Sequence, residues 1–595
     1  MKAKLKAILH TAWNEPRHFF FWLMQLSLAG LVLGYVVDRA NLLPYDPHPW
    51  VQTAANAVAA CLVAGVVVGF FGFILSCIPP IRRLFARMLQ SRFFVLACLV
   101  TLVALFYTEE NLRGKWAWER YKQACEAKGE KMEPAAFIPL PVPANQNFAL
   151  TPVVASSYAG LLDKDGHEIQ PRDTNVVNRL KMAVTHDSDW PSNGIGNWQK
   201  STVSDLKSWQ QYYRALAAKT NEFPVPSQPQ SSAADVLLAL SRYDSAIDEL
   251  RRASQLPYSR FPLSYGKENP VTILLPHLGA LRECARMLQL RAIAELQNGQ
   301  TDKALEDMRL ALRLADSVRT EPILVSHLVR IAIVHTVLQP VWEGLAEQKW
   351  SGAQLAALDR ELAGLDFLAD YRLSMRGELV LFEGGIFDYL RHHPEQLPYL
   401  CGEPSSSPPA SVRILCRLIP RGWIYQNQLR CARVMEQGYL PVADVDQRII
   451  SPAATRRADA AVEADTRHLN PYNVMERILL PALGKAARRF ASGQSSVDLA
   501  RVAIALERYR QAHGEHPESL DALVPQFIAK LPHDIITGQP LKYRRADGQF
   551  VLYSVGWNET DDGGRVVLKE SGTVDPENGD WVWHASPHAE AGSSL

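Results

Sequence analysis

Three acidic residues on one predicted helix, Glu378, Glu383 and Asp388, carry side chains suited to acid–base chemistry. Two facing carboxyl groups, one of them protonated, are the usual means of hydrolysing a glycosidic bond. Glu378 and Glu383 are five positions apart, however, and an α-helix does not place such residues on one tight face. Gly384-Gly385 also interrupts the predicted helix. The spacing therefore favours a solvated helix face, with hydrolysis as the alternative.

Histidine and tryptophan are the other side chains from which a site could be built. His392 and His393 lack a third ligand at metal-binding spacing, so an exposed loop is expected there. His327 and His335 lie eight positions apart on an apolar helix, as core or interface residues do. Three tryptophans could line a groove for a sugar or a peptide, although the core is their ordinary place: Trp342, Trp350 and Trp423.

Composition and motifs exclude several classes of protein. The chain has 595 residues with 63 Lys and Arg against 62 Asp and Glu, so no basic excess points to nucleic acid. No GxSxG, HExxH, P-loop or dinucleotide motif occurs, which favours a non-enzyme. Five of the eight cysteines follow residue 107, and this odd number without a CxxC indicates neither a disulfide framework nor a zinc site. One bridge, Cys401–Cys416, could close a Pro/Ser-rich loop.

The elements that position these residues begin with a hydrophobic block. Apolar runs cover residues 19–37, 54–78 and 93–107. A membrane-spanning helix needs about 20 apolar residues, so the first two runs qualify, and the shorter third run has a buried core helix as its alternative. A cleavable signal peptide fits poorly because the first run is too long and two others follow. A three-helix transmembrane block is therefore expected over residues 19–107.

The distribution of Lys and Arg predicts how this block is oriented. Residues 1–18 and the loop between the second and third runs are rich in positive charge, whereas the loop between the first two runs offers only Arg39. Positive loops stay in the cytoplasm, so residues 1–18 are expected inside and the region after residue 107 in the periplasm. We therefore expect a multi-pass protein of the inner membrane that contacts the lipid bilayer. If the third run does not cross, the large region is cytoplasmic instead.

Beyond the membrane block the predicted fold is mainly α. Residues 108–232 combine helices with irregular, extended segments. Residues 233–490 form a repeat-like α-helical body of amphipathic helices with short connections. Residues 495–568 form a small α+β module, and residues 569–595 a loosely ordered tail. The strands of the module are predicted at 541–544, 550–554 and 566–568, with a hairpin turn at Asp547-Gly548.

One hairpin of the helical body, LRAIAELQNGQTDKALEDMRLALRLA, resembles a tetratricopeptide repeat. Ala292, Gly299, Ala304 and Ala311 fall at the small-residue positions of that family, where they let two helices pack closely. No second copy follows at the period of the family. The resemblance implies a bundle that presents a binding surface, with a purely structural bundle as the alternative.

The C-terminal module carries a second resemblance. After a predicted helix start at Ser495 and Asp498, it contains ALERYRQAHGEHPESLDAL, LPHDIITGQPLKY and FVLYSVGWNETDDGG. These segments resemble the globular domain of the major pseudopilin of type II secretion systems. The methylation and assembly segment of that family is absent, and Ile535 and Asn558 replace its usual Pro and Asp. The resemblance implies that the module has the fold of that domain without being a subunit of a pseudopilus. The residues that match the family pattern are Tyr509, Gly514, Pro517, Leu531, Pro532, Asp534, Gly538, Pro540, Tyr543, Tyr553, Ser554 and Gly556.

The pseudopilin family can bind calcium in its C-terminal loop. The resemblance therefore implies a calcium site at Asn558, Glu559, Asp561 and Asp562. Calcium takes about six to eight oxygen ligands, so backbone carbonyls and water would complete the set. A solvated acidic turn is the alternative and is favoured. No other cofactor is expected.

The predicted function follows from topology, helical hairpins and the missing catalytic motifs. It is that of a membrane-anchored extracytoplasmic protein-interaction or scaffold protein of the cell envelope, whose partner is another envelope protein. The pseudopilin-like module suggests a relation to secretion. The whole chain also resembles uncharacterised membrane proteins of planctomycetes and verrucomicrobia, which implies no activity. An envelope hydrolase is the alternative: ionisable side chains meeting in a deep cleft would favour it, and an apolar groove would favour binding.

Overall fold

The computed structural model of the chain describes residues 92–182, 190–191, 194–220, 222–267, 269–401, 408–546 and 548–587, together with single residues between 20 and 83. The predicted apolar runs at 19–37 and 54–78 lie almost wholly outside the described residues. Two compact units are present, residues 1–112 and 113–595. With 60% helix and 7% strand, the fold is mainly α with a small C-terminal sheet region, as predicted.

From residue 92 onwards the longer helices are α1 (Arg92–Ala127), α2 (Leu206–Thr220), α3 (Ser232–Leu240), α4 (Asp244–Ser254), α5 (Pro276–Gln297), α6 (Thr301–Asp316), α7 (Leu324–Ala346), α8 (Gly352–Ala363), α9 (Phe367–Gly377), α10 (Gly384–His392), α11 (Leu397–Cys401), α12 (Ala410–Arg417), α13 (Arg421–Val434), α14 (Pro452–Thr466), α15 (Val474–Leu479) and α16 (Leu483–His513). A π-helical turn, Glu378–Glu383, joins α9 to α10. The strands are β1 (Ala443–Asp444), β2 (Ile449–Ile450), β3 (Lys542–Ala546), β4 (Gln549–Ser554), β5 (Val566–Leu568), β6 (Val574–Gly579) and β7 (Trp581–His584).

Helix α1 contains the third predicted apolar run, and its apolar side chains there are exposed, among them Leu99, Leu102 and Leu105. It continues without a break into the polar residues that follow. By length and mean hydropathy, one helix among the described residues, α7, could cross a membrane. Because 61% of its apolar window is buried inside the protein, α7 has the character of a core helix. The three predicted spans are therefore not confirmed.

Helices α5 and α6 form the hairpin that the sequence predicts. Gly299 turns the chain between them with a φ of +74°, a conformation that a residue without a Cβ adopts readily. Ala292, Ala304 and Ala311 are buried, and their small side chains allow the two helices to approach each other. Helix α7 packs against both. The predicted small-residue positions thus lie inside a three-helix core.

Helix α16 joins the helical body to the C-terminal module. The predicted helix start at Ser495 and Asp498 is wrong, because both residues are buried in the interior of α16. The helix continues through Gly493. A Cβ at this position would lie 2.8 Å from Cγ2 of Ile331, so glycine allows the close packing there. The helix ends at Gly514, which has a φ of +87°, as predicted. The module is thus continuous with the body.

The C-terminal sheet has the antiparallel order β3-β4-β7, and β5 and β6 form a separate antiparallel pair. Three of these strands, β3, β4 and β5, are the predicted ones. The prediction of a loose tail is wrong for β6 and β7. Trp581 and Trp583 are buried, and Trp342 Nε1 donates to the carbonyl of His584 at 2.9 Å, which ties β7 to α7. Burial of aromatic area thus orders the tail.

The segment between α1 and α2 is largely irregular and packs on the helical body, as predicted. Phe148, Val153 and Leu180 are fully buried. The side chain of Asn147 accepts the backbone N–H of Arg260 at 2.9 Å, which fixes the segment to the chain before α5. These contacts explain why a stretch with little regular structure has a fixed course.

The bridge that the sequence allows between Cys401 and Cys416 is not formed. Cys416 is a free thiol near the end of α12. Its side chain is buried, and burial raises the pKa of the thiol. This cysteine therefore behaves as a small core residue rather than as a cross-link.

Candidate functional site

A cluster of ionisable side chains surrounds His327. Its Nε2 donates to the carbonyl of Glu321 at 2.8 Å, and its Nδ1 lies 3.6 Å from Asp370 Oδ2. The Glu321 carboxylate accepts from Ser326 Oγ and lies 3.0 Å from His277 Nε2. All five residues are buried, so a substrate could reach this group only if the core opened.

The guanidinium of Arg330 balances the charge of that cluster. It is fully buried, donates to Asp370, and donates to Asp316 Oδ1 at 2.7 Å. A buried charge is tolerated when it is paired and hydrogen-bonded in this way. The cluster is therefore explained as a network that joins α7 to its neighbours.

Glu378 and Glu383 of the candidate hydrolytic site interact with each other inside the protein, whereas Asp388 is on the surface. Glu378 and Glu383 are at opposite ends of the π-helical turn, and both are largely buried, so the expected solvated face is wrong for them. Glu378 accepts the N–H of Leu324 at 3.0 Å, and burial raises its pKa to about 7. Burial, together with the charge of Glu378, raises the pKa of Glu383 further. Asp388 is exposed and pairs with Arg391.

His335 lines a cleft of about 750 Å³ between α7, α16 and β6. Burial, reinforced by Arg489, lowers the pKa of His335 to about 4, so the ring is neutral at pH 7 and too weak a base for efficient proton transfer there. Arg488 pairs with Glu577 at 2.5 Å. The cleft contains several cations and no acid–base pair among its lining residues: Lys200, Arg488, Arg489 and Lys569.

The residues expected to bind calcium lie on the turn after β4: Asn558, Glu559, Asp561 and Asp562. Asp561 Oδ1 accepts from Tyr553 Oη at 3.0 Å, and Oδ2 lies 3.2 Å from Lys542 Nζ. Glu559 pairs with an arginine of α14, and Asp562 accepts from the Asn558 amide at 2.9 Å. Each carboxylate therefore has a protein partner, and calcium binding stays a prediction.

A different group of metal-type ligands, missed in the sequence, is present among the described residues. Asp163, Asp165 and His167 lie close together on a loop. Asp163 accepts two backbone N–H groups of that loop, which lower its pKa. This exposed acidic loop is therefore already satisfied by its own backbone.

An apolar cavity of about 310 Å³ lies between α10, α13 and α15. Asn427 is buried in its wall, and both N–H groups of its amide are used within the protein: one donates to the Trp423 carbonyl at 2.8 Å and one to the Pro471 carbonyl at 2.7 Å. Its Oδ1 accepts the N–H of Met475 at 3.0 Å. The cavity therefore presents apolar surface, mainly from Leu390, Leu397, Ile419, Trp423, Leu469 and Val474.

A basic pocket of about 350 Å³ adjoins the apolar cavity. Arg391 donates to Gln428 Oε1 at 2.7 Å and lies 4.3 Å from the centre of the Tyr425 ring, and burial lowers its pKa. Arg417 lies 3.5 Å from the Glu395 carboxylate. The pocket is completed by exposed Arg421 and by His392, which is exposed at the end of α10 as expected.

Of the cavity residues, sequence reasoning singled out only Trp423. Trp342 and Trp350 are core residues, as their default reading predicts. The other walls come from three segments far apart in the chain, so no local spacing reveals them. One available signal was Leu469, an apolar residue in a polar stretch that is exposed at the cavity.

Comparisons with protein-family models, with curated proteins and with solved structures find no match to this chain. The pseudopilin-like and tetratricopeptide-like resemblances therefore stay predictions. We therefore infer a function from the geometry of the apolar cavity and the adjoining basic pocket.

Proposed function

We propose that this chain is a membrane-anchored binding protein of the cell envelope, whose helical body receives an apolar group in the cavity beside Trp423. The observation that carries this proposal is the cavity wall, in which Asn427 directs its hydrogen bonds to the protein and leaves apolar surface to a ligand. Burial of such a group is favourable by roughly 25 cal/mol for each Å² removed from water. Binding therefore needs no further polar contact.

Anchoring is supported by the three apolar runs, with the positive charge bias assigning the body to the outside of the membrane. The exposed apolar side chains of α1 agree with a lipid environment. Hydrolysis has weaker support, because the buried cluster around His327 and the pair Glu378 and Glu383 lie apart from an open cleft.

The test uses the full chain in detergent and a neutral alkyl probe that carries a diazirine. Photolabelling is expected at residues 390–397, 419–427 and 469–475, as mapped by mass spectrometry. Val474→Trp fills the cavity and should abolish this labelling. Val177→Trp, at an exposed position elsewhere, should leave it unchanged. Labelling outside these segments only, or equal labelling of both variants, would overturn the proposal.

A further inference from the structure

We call the apolar cavity and the basic pocket together the depression. Pro394, Ile419 and Ile424 line both, so the two volumes adjoin at these side chains. The depression has apolar surface at one end and guanidinium groups at the other. A molecule that fills it has an apolar tail and an anionic head.

The guanidinium groups differ in how they are held. Arg391 is fixed by Gln428 and paired with Asp388, and Arg417 lies near Glu395. Arg421 is exposed, and it is the one of these three guanidinium groups that has no ion-pair partner among the described residues.

The position of Arg421 in the fold also favours binding of an anion. It is the first residue of α13, a helix of 14 residues. The dipole of a helix favours a negative charge near its first residue, and the guanidinium is a phosphate ligand. The free positive charge and the helix start therefore coincide at the mouth of the basic pocket.

The chain segment that leads to Ile419, a lining residue of both pockets, carries exposed apolar side chains. Ile414, Leu415 and Leu418 of the α12 region are 61%, 65% and 61% exposed, and Leu469 is 54% exposed. Arg413 and Arg417 alternate with these residues in the sequence. Apolar side chains interleaved with arginine are typical of helices that lie in the interface of a membrane with anionic lipids.

The wall of the cavity also contacts α1 within the second unit. Gly114 lies directly against the backbone of Gly422, and Arg113 Nη2 donates to Tyr472 Oη at 3.2 Å. The Tyr472 ring meets Trp423, a cavity residue, with centroids 6.1 Å apart. In the sequence, the apolar run at 93–107 ends seven residues before Gly114. The depression thus borders the part of the chain that follows the expected anchor.

We propose that this depression binds an anionic phospholipid, with an acyl chain in the apolar cavity and the phosphate at Arg421 and Arg417. The inference rests on the proposed function, since it names the ligand of the same cavity. Charge complementarity and the interleaved apolar surface select a lipid over a neutral peptide. Because the sites adjoin, the head and the tail bind together.

The experiment photolabels the full chain, in detergent micelles, with phosphatidylglycerol and phosphatidylcholine that carry the same diazirine acyl chain. Both lipids carry a phosphate, but only phosphatidylcholine adds a cation beside it, so the unpaired charge of Arg421 should favour phosphatidylglycerol by about tenfold, measured as adducts in the cavity segments. Arg417→Gln with Arg421→Gln should remove this preference. Arg413→Gln, on the same short helix, should keep it. Circular dichroism verifies that each variant is folded.

Different failures have different meanings. Equal labelling of the cavity by both lipids would overturn the lipid assignment and leave the proposed function intact, because the apolar cavity would still be occupied. Absence of cavity labelling by both lipids and by the neutral alkyl probe would overturn both. Loss of the preference on addition of millimolar inorganic phosphate alone would identify a soluble anion as the ligand and also overturn the lipid assignment.

Discussion

The side-chain amide of Asn427 donates to the carbonyl of Pro471, 2.7 Å away, and so joins α13 to the loop before α15. The same side chain binds the backbone of Trp423 and Met475. One buried amide therefore holds three parts of the cavity wall in place. The cavity keeps its shape because that amide is satisfied, and it stays apolar for the same reason.

Asn427→Asp is expected to lower the free energy of unfolding by about 3 kcal/mol, because two hydrogen bonds are lost and a carboxylate is buried. Chemical denaturation of the purified full chain, followed by circular dichroism, measures the change. Asn298→Asp, at the exposed end of α5, is the control and should change stability by less than about 0.5 kcal/mol. Similar small losses in both variants would contradict the structural role of the amide.

Glu378 makes stability depend on pH. Its pKa rises from 4.5 to about 7 on folding, so the stability it contributes is present below pH 4.5 and is lost as the pH rises through 7. Glu378→Gln should therefore be more stable than the parent at pH 8 by up to about 3 kcal/mol, and equal to it near pH 4. Denaturation at both pH values measures this. Glu463→Gln, at an exposed site on α14, should show no such difference.

Gly114→Ala is expected to destabilise the protein by about 1–3 kcal/mol, since overpacking forces the backbone apart. The added Cβ would lie 2.4 Å from the carbonyl oxygen of Gly422. Gly279→Ala is the matched control: it is in α5 with no atom within 4 Å of the new Cβ, and it should stabilise by about 0.5–1 kcal/mol. Thermal melts compare the two, and an unchanged melting temperature for Gly114→Ala would show that α1 and α13 can separate freely.

Trp583→Ala should cost about 3–5 kcal/mol, because the ring of this β7 residue is fully buried, with its centroid 5.0 Å from that of Trp198. Chemical denaturation measures the loss. Leu568→Ala, on exposed β5, is the comparison and should cost less than about 1 kcal/mol. If the two substitutions had equal effects, the tail would be peripheral to the core.

Calcium is expected to leave the melting temperature unchanged at millimolar concentration. The Asp561 carboxylate already accepts hydrogen bonds from Tyr553 and Gly563, and the bond from Gly563 is the main cause of its lowered pKa. Differential scanning fluorimetry with calcium, and with magnesium as the control, tests this. A calcium-specific stabilisation that Asp562→Asn removes would establish the site that the pseudopilin resemblance implies.

Local patterns predicted the parts of this fold that depend on neighbouring residues. The Ala304 and Ala311 hairpin and the pairing of β3 with β4 are of this kind, since helix period and strand pattern can be recognised along the chain. The helix start predicted at Ser495 and Asp498 was wrong because the same residue pattern also occurs inside a helix, where these side chains are buried. The burial of Glu378 depended on a π-helical turn that spacing rules for an α-helix do not anticipate.

The site was harder to predict for a different reason. Leu390, Trp423 and Leu469 belong to segments that only the folded chain brings together, and none lies in a motif. Sequence spacing can identify chemistry that is encoded locally, such as a metal-binding helix. It cannot identify a cavity whose character depends on one amide, Asn427, being satisfied by its walls.

Helix α16 has a consequence for how the chain can be divided. Because Leu483–His513 forms one unbroken helix, cutting near residue 490 would sever it and would expose the part of its surface that α7 and α8 cover. A shortened C-terminal fragment would then be expected to aggregate or to be degraded. The sheet and the helices are accordingly expected to unfold in one cooperative step.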